Sequence, residues 1–143
     1  MSDLIVKLLG EEEGRSATVY KDTKKLWTIG IGCLVDARIR GAGLCDAAID
    51  AQFAHDSIQA RNDAEALPGF LRCNDIRQTV LVSMCFQLGD LHGWPDFKAA
   101  LAMDDYEAAA TAGRDSDWYK IETPKRAKRE MDMLQSGQWI PHE

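Results

Sequence analysis

Residues 18–32 read TVYKDTKKLWTIGIG and differ in character from the sequence on either side. Two runs rich in β-branched and aromatic residues flank the polar stretch KDTKK, a pattern typical of a β-hairpin. The following residues 33–46, CLVDARIRGAGLCD, contain two glycines and little periodicity. They predict the end of a strand followed by a loop. A small β-containing region is therefore expected in the first third of the chain.

The sequence on both sides of this hairpin predicts helices. Leucine and isoleucine recur at helical spacing in the first nine residues, Ser2 is a suitable N-cap, and Gly14 is a stop signal. Glu13 would then stand at the C-terminal end of an opening helix. Residues 46–62 have the periodicity of a second helix, which could connect two lobes.

The C-terminal half is predicted to be a group of helices. Asn74 is a suitable N-cap for the most apolar segment, which ends at Gly89 and should be the core helix. Shorter helices are predicted at 97–103 and 106–112. Thr123 as cap and Pro124 in the first turn predict a last helix that ends at Gly137.

The composition is that of one soluble globular domain. The chain has 143 residues, of which 45% are hydrophobic and 28% charged, which excludes a disordered or disulfide-knotted chain. No stretch approaches the roughly 20 apolar residues of a membrane span. Acidic residues also stand where a signal peptide would be apolar, so the sequence predicts no export signal.

The charge argues against binding to nucleic acid or anionic lipid, because the net charge is -6. The acid is concentrated early, at Glu11, Glu12 and Glu13. A segment near the C-terminus is locally basic, and an anionic polymer could dock there. Its cations are Lys120, Lys125, Arg126, Lys128 and Arg129.

Neither the four cysteines nor the three histidines are spaced as metal ligands, so we predict no metal and no cofactor. We expect reduced, buried thiols. Cys73 and Cys85 would lie about 18 Å apart on one helix and could not form a disulfide. Only Cys33 and Cys45 remain a possible pair.

Glu13, Asp22 and Thr28 are the candidate catalytic residues. The end of the first helix and the hairpin can bring two carboxylates and a hydroxyl to one cleft, and paired acids suit glycoside hydrolysis. Glu13, at the negative end of a helix dipole and beside two other glutamates, is expected to keep its proton and act as the acid. Asp22 should stay ionised, and Thr28 could hold a water. From the residues alone, ordinary surface charges remain the favoured interpretation of these acids.

Two blocks of motifs resemble the T-even bacteriophage lysozymes, glycoside hydrolase family 24. The first block is EG at 13–14, YKDT at 20–23 and TIGIG at 28–32. The second is FQLG at 86–89, WY at 118–119, TP at 123–124, RAKR at 126–129 and SGQW at 136–139. The blocks follow the family's order, so the resemblance spans almost the whole chain.

The resemblance implies an α+β, mostly helical, lysozyme-like fold. A small β-hairpin lobe would comprise about residues 15–56. A larger helical lobe would comprise residues 1–14 and about 57–143. A helix would join the lobes, with the active cleft between them.

The resemblance also implies an endolysin that cuts the β-1,4 bond between N-acetylmuramic acid and N-acetylglucosamine in peptidoglycan. By position, Glu13 matches the family's general acid and Asp22 its second carboxylate. Thr28 matches the hydroxyl that places the attacking water in an inverting mechanism. The two carboxyl groups of an inverting enzyme should lie roughly 6.5–9.5 Å apart.

Three further positions match supporting roles in that family. Leu34 and Phe86 match cleft positions that touch the glycan, and Arg126 matches the cation that pairs with the catalytic glutamate. The implied partner is the peptidoglycan glycan strand, bound by a monomer. The implied location is the host cytoplasm until a separate holin makes a membrane lesion, after which the protein would reach the periplasmic cell wall and lyse the host.

Three positions depart from the family pattern. Lys25 stands where glycine is frequent, so either a lysine adopts a left-handed backbone conformation at a cost of about 1 kcal/mol or the turn differs from that of the family. Cys33 replaces a frequent histidine, which removes a pairing to the acid that matches Asp56. The stretch WYKIETP holds one residue more than the usual spacing.

Two other functions remain open. A lytic transglycosylase would use Glu13 alone and would form an anhydro product, although Asp22 and Thr28 argue against it. A wall-binding protein could keep the lysozyme fold without turnover, but the intact catalytic side chains make this the minority interpretation.

Overall fold

The structure is a computed structural model that describes residue 11 and residues 15–31, 33–35 and 43–142. The chain divides between Gln52 and Phe53 into two compact units. The first contains the strands, and the second is helical. The protein is mostly helical with one small antiparallel sheet, which confirms the predicted fold class.

The predicted hairpin is present. Strand β1 spans Ser16–Lys21, β2 spans Trp27–Gly30, and a short β3 spans Cys33–Leu34. The strands form an antiparallel sheet in the order β1-β2-β3. Lys25 lies in the turn with a φ of 66°, the left-handed conformation that was one of the two alternatives expected from the resemblance.

Five helices and two short helical turns follow in the described part of the chain. They are α1 Asp46–Glu65, a 3-10 turn Phe70–Arg72, α2 Asp75–Leu88, α3 Pro95–Ala102, α4 Tyr106–Arg114, a π-helical turn Trp118–Glu122 and α5 Pro124–Ser136. Helix α1 is three residues longer than predicted. The two short turns were not predicted.

Local capping explains most helix ends. The side chain of Asn74 accepts a hydrogen bond from the amide of Arg77 at 3.0 Å, which begins α2 as predicted. Gly89 ends α2 with a φ of 76°, and Gly137 ends α5 with a φ of 69°. Thr123 precedes α5 but makes no side-chain cap, so that detail of the prediction is wrong.

The hydrophobic core of the helical unit forms around α2, the predicted core helix. Val80, Leu81, Met84 and Cys85 are buried on it. The largest fully buried side chains of the described residues also include Trp118, Phe97, Leu91, Leu101, Met131 and Leu134. These side chains come from separate stretches of the helical unit, so its packing depends on contacts between distant segments.

The four cysteines are free thiols. Cys73 and Cys85 are buried, as predicted, whereas Cys33 is half-buried and Cys45 is exposed. Burial raises the pKa of Cys85 to about 12 and also raises the pKa of Cys73. The expectation that the thiols are buried is therefore wrong for Cys45.

Two parts of the prediction lie outside what the structure tests. Apart from Glu11, which is helical, the predicted opening helix lies outside the described residues. The predicted assignment of residues to a small and a large lobe also stays a prediction.

None of the helices in the described ranges combines the length and the apolar composition that a bilayer crossing requires.

Candidate functional site

Asp22 begins the turn between β1 and β2. Its Oδ1 accepts hydrogen bonds from the backbone amides of Lys24 and Leu26, both at 2.8 Å. The main chain closes the same turn, because the Asp22 amide donates to the Leu26 carbonyl and the Lys25 amide donates to the Asp22 carbonyl, each at 2.9 Å. The carboxylate of the half-buried Asp22 is therefore fixed by the backbone through one oxygen.

Thr28 lies on β2 and is 2% exposed. It is the register partner of Tyr20 on β1 and of Leu34 on β3. Its hydroxyl donates to the carbonyl of Leu26 at 3.2 Å. Leu26 thus bonds both candidate residues, since its amide holds Asp22 and its carbonyl accepts from Thr28.

The sheet brings three of the predicted site residues into one unit. Leu34 is half-buried on β3 and pairs with Thr28, and Asp22 follows directly after β1. Within this unit, the side chain of Thr28 is engaged by the protein rather than open to water. The predicted role of Thr28 in placing a water therefore remains a prediction.

Phe86 lies on α2 and is 45% exposed. Its ring centroid is 5.9 Å from that of Phe53, with the rings inclined at 55°. Phe53 is itself 62% exposed. Phe86 is thus a surface aromatic residue with one aromatic neighbour in the described ranges, which leaves its predicted contact with the glycan as a prediction.

Arg126 lies on α5 and is held by two residues that sequence analysis did not identify. Its Nε donates to Oε1 of Glu130 at 2.8 Å, and its Nη2 donates to the carbonyl and the hydroxyl oxygens of Ser83 at 3.0 and 2.9 Å. The Ser83 hydroxyl donates to the same Glu130 oxygen at 2.7 Å. The sequence did contain a signal for this ion pair, because Arg126 and Glu130 are four residues apart on one predicted helix.

Glu130 is 4% exposed, which is rare for a carboxylate. Its Oε2 accepts no hydrogen bond from the described residues. The guanidinium of Arg126 supplies the opposite charge that such a buried carboxylate requires. Nη1 of Arg126 makes no hydrogen bond with the described residues.

A hydrogen-bonded chain links the motifs of the second block. The indole Nε1 of Trp118 donates to Oε1 of Gln87 at 2.9 Å, and Nε2 of Gln87 donates to the Thr123 hydroxyl at 3.3 Å. The Thr123 amide donates to the Trp118 carbonyl at 3.0 Å, five residues back. This bond closes the π-helical turn within WYKIETP, the stretch in which the resemblance implied one residue more than the usual spacing.

The predicted general acid, Glu13, lies outside the described residues. The distance between the Glu13 and Asp22 carboxyl groups and the pairing of Glu13 with Arg126 therefore stay predictions. Within the described ranges, the His, Cys, Asp and Glu side chains form no group of three that could ligate a metal.

Comparison with known proteins agrees with this fold and these motifs. A family model described as phage lysozyme matches residues 10–128, a range that contains every predicted site residue. The chain belongs to the phage lysozyme family. It is also similar to a Dictyostelium discoideum protein named "Probable T4-type lysozyme 1", with 24% identity over 167 aligned residues that cover 96% of each chain.

Proposed function

We propose that the protein is an inverting muramidase that hydrolyses the β-1,4 bond between N-acetylmuramic acid and N-acetylglucosamine in bacterial peptidoglycan. The observation that carries this proposal is the hairpin turn, in which Lys24 and Leu26 hold the carboxylate of Asp22 through Oδ1. Its Oδ2 accepts no hydrogen bond from the described residues, so this oxygen is available to a water. A carboxylate with one fixed and one available oxygen suits the activation of that water.

In this mechanism, Glu13 protonates the departing glycosidic oxygen while Asp22 activates a water on the other face of the sugar ring. Thr28 adjoins Asp22 through Leu26, and its hydroxyl oxygen can accept a hydrogen bond from that water while it still donates to the Leu26 carbonyl. Leu34 and Phe86 contact the glycan, and Arg126 pairs with Glu13. Attack opposite to the leaving group inverts the anomeric configuration.

The biological role that follows is bacteriophage host-cell lysis by a monomeric, bacteriolytic endolysin. The protein waits in the host cytoplasm until a separate holin opens the membrane, and it then acts on the periplasmic cell wall. Family membership supports a lysozyme function. The release by a holin and the site of action at the cell wall are further parts of the proposal.

Product analysis on purified murein tests this function. Each hydrolytic cut adds one water to the mass of the products, and NMR immediately after cleavage should show the α-anomer first. Anhydro products without added water would instead identify a lytic transglycosylase. An absence of cleavage with unimpaired binding to murein would identify a wall-binding protein.

A further inference from the structure

The β1–β2 hairpin carries cations that no carboxylate in the described residues neutralises. Lys21, Lys24 and Lys25 are exposed, and none of their ammonium groups bonds to a described acid. Asp22, the acid of this hairpin, is bonded to backbone amides instead. Three ammonium groups within five consecutive residues are therefore available to an external anion.

Trp27 adds an aromatic surface beside these cations. It is the register partner of Lys21, and the Lys21 Nζ lies 4.9 Å from the centroid of its ring. About half of Trp27 is open to solvent, with an exposed fraction of 48%. We name Lys21, Lys24, Lys25 and Trp27 the hairpin surface.

The strand pairing separates Lys21 and Trp27 from Thr28. The pair Lys21 and Trp27 is followed in the register by the pair Tyr20 and Thr28. Successive residues of a strand point to opposite faces of the sheet. The face that bears Lys21 and Trp27 is therefore the opposite face to the one that bears Thr28.

The basic segment near the C-terminus, where the sequence suggested docking of an anionic polymer, is arranged differently. Lys120, Arg126 and Lys128 each bond to a carboxylate, on Asp115, Glu130 and Asp132 respectively. Arg129 donates to the Ile140 carbonyl and stacks on Trp139. Of the five cations of that segment, only Lys125 has no partner among the described residues.

We propose that the hairpin surface is a docking site for the carboxylate-bearing peptidoglycan of the bacterial wall, with Lys21 and Trp27 on the opposite face of the sheet from Thr28. The identity of this polymer rests on the proposed function. Ammonium groups pair with carboxylates, and an exposed indole packs against the C–H faces of sugar rings. Because the protein's net charge is -6 and charges are screened beyond about 8–10 Å, a local cationic surface must provide the attraction.

Binding of the protein to purified, insoluble peptidoglycan tests this proposal. All variants carry Glu13→Gln so that the wall stays intact. The hairpin variant is Lys21→Gln/Lys24→Gln/Lys25→Gly, in which glycine suits the positive φ of Lys25. The control variant is Arg61→Gln/Lys98→Gln/Lys125→Gln, which removes three cations whose side chains form no hydrogen bond or salt bridge with the described residues and which lie on three different helices.

The hairpin variant should bind about tenfold more weakly at low salt, with a shallower salt dependence, while the control changes by less than about threefold. Wall whose carboxylates have been amidated should bind the parent as weakly as native wall binds the hairpin variant. Trp27→Ala should weaken binding at both low and physiological ionic strength. Thermal unfolding of every variant checks the fold. If the triple variant fails to fold, the variant Lys24→Gln/Lys25→Gly, which changes only turn residues, should still show weaker binding.

Equal losses in the hairpin and control variants would mean that net charge alone attracts the wall, and unchanged binding would exclude the hairpin; either result overturns the proposal. The hairpin variant could instead lose binding to phosphatidylglycerol vesicles while it keeps its binding to the wall. This result would assign the hairpin surface to an anionic membrane and would also overturn the proposal. These measurements need no turnover. A failure here therefore leaves product analysis of the parent protein as the separate test of the muramidase function.

Discussion

Lys25 illustrates how one residue can be strained by its place in a turn. Its φ of 66° lies in the left-handed region, where a side chain with a Cβ costs about 1–2 kcal/mol. Glycine adopts this conformation without the steric cost, although it loses more conformational freedom on folding.

Lys25→Gly should therefore raise the free energy of unfolding by about 0.5 kcal/mol. Urea denaturation measures this change. Lys24, the preceding turn residue, is the matched control because its φ is not positive. Lys24→Gly should lower the free energy of unfolding, and a loss of stability in both variants would contradict the account.

Asp22 combines a structural and a proposed chemical role, and two substitutions separate them. Asp22→Asn keeps the Oδ1 that accepts from Lys24 and Leu26 but removes the negative charge. We expect it to keep its thermal stability and to lose about 100-fold or more of kcat on murein.

Asp22→Ala should lose activity and also about 1 kcal/mol of stability, because it removes the acceptor for both turn amides. Glu107→Gln, an exposed change in the first turn of α4, is the control for loss of a carboxylate. Full activity of Asp22→Asn would show that the carboxylate takes no part in cleavage.

At the scale of elements, Ser83, Arg126 and Glu130 join helices α2 and α5. The side chain of Glu130 is 6% exposed, whereas that of Arg126 is 40% exposed. Removing the arginine would leave a buried carboxylate without its counter-charge, which is more costly than removing both charges.

Arg126→Ala should lower the free energy of unfolding by about 3 kcal/mol. The double variant Arg126→Met/Glu130→Leu should recover most of this loss, since it replaces the ion pair by apolar side chains of similar size. Equilibrium unfolding in urea of the parent, the single and the double variants provides the measurement. Equal destabilisation in the single and double variants would mean that Glu130 does not depend on Arg126.

The ends of the elements show what can be read from local sequence. Asn74 caps α2 and Gly89 and Gly137 end their helices, because a cap bonds within its own turn and a terminal glycine adopts a positive φ. Thr123 was predicted by the same reasoning, yet its hydroxyl accepts from Gln87, 36 residues away. The π-helical turn within WYKIETP was likewise not predicted from the sequence.

At the scale of the whole molecule, several carboxylates stabilise the folded state only when they are ionised. Burial disfavours the charged form of Asp132, but hydrogen bonds from Lys128 and Arg114 outweigh it and hold its pKa below the ordinary value. A hydrogen bond from His92 lowers the pKa of Asp90, and one from Lys120 lowers the pKa of Asp115.

Because the folded-state pKa values of these acids lie below the unfolded value of about 3.9, their stabilisation is complete above about pH 4 and is lost as the pH falls through the folded-state pKa values. The unfolding temperature should therefore fall as the pH drops from about pH 4 to about pH 2. Asp132→Asn should be less stable than the parent at neutral pH and should lose less of its stability on acidification. Differential scanning calorimetry across this range measures both effects, and parallel curves for the parent and Asp132→Asn would contradict them.

The sequence alone determined the hairpin, most helix limits and membership in the phage lysozyme family, because turns, caps and motif spacing are local properties. It also supplied the candidate residues Glu13, Asp22 and Thr28. Only the tertiary structure decided that Leu26 bonds both Asp22 and Thr28, and that Glu130 is the buried partner of Arg126. These choices depend on which side chains helix packing and strand register bring within hydrogen-bonding distance, such as Ser83 and Glu130, 47 residues apart.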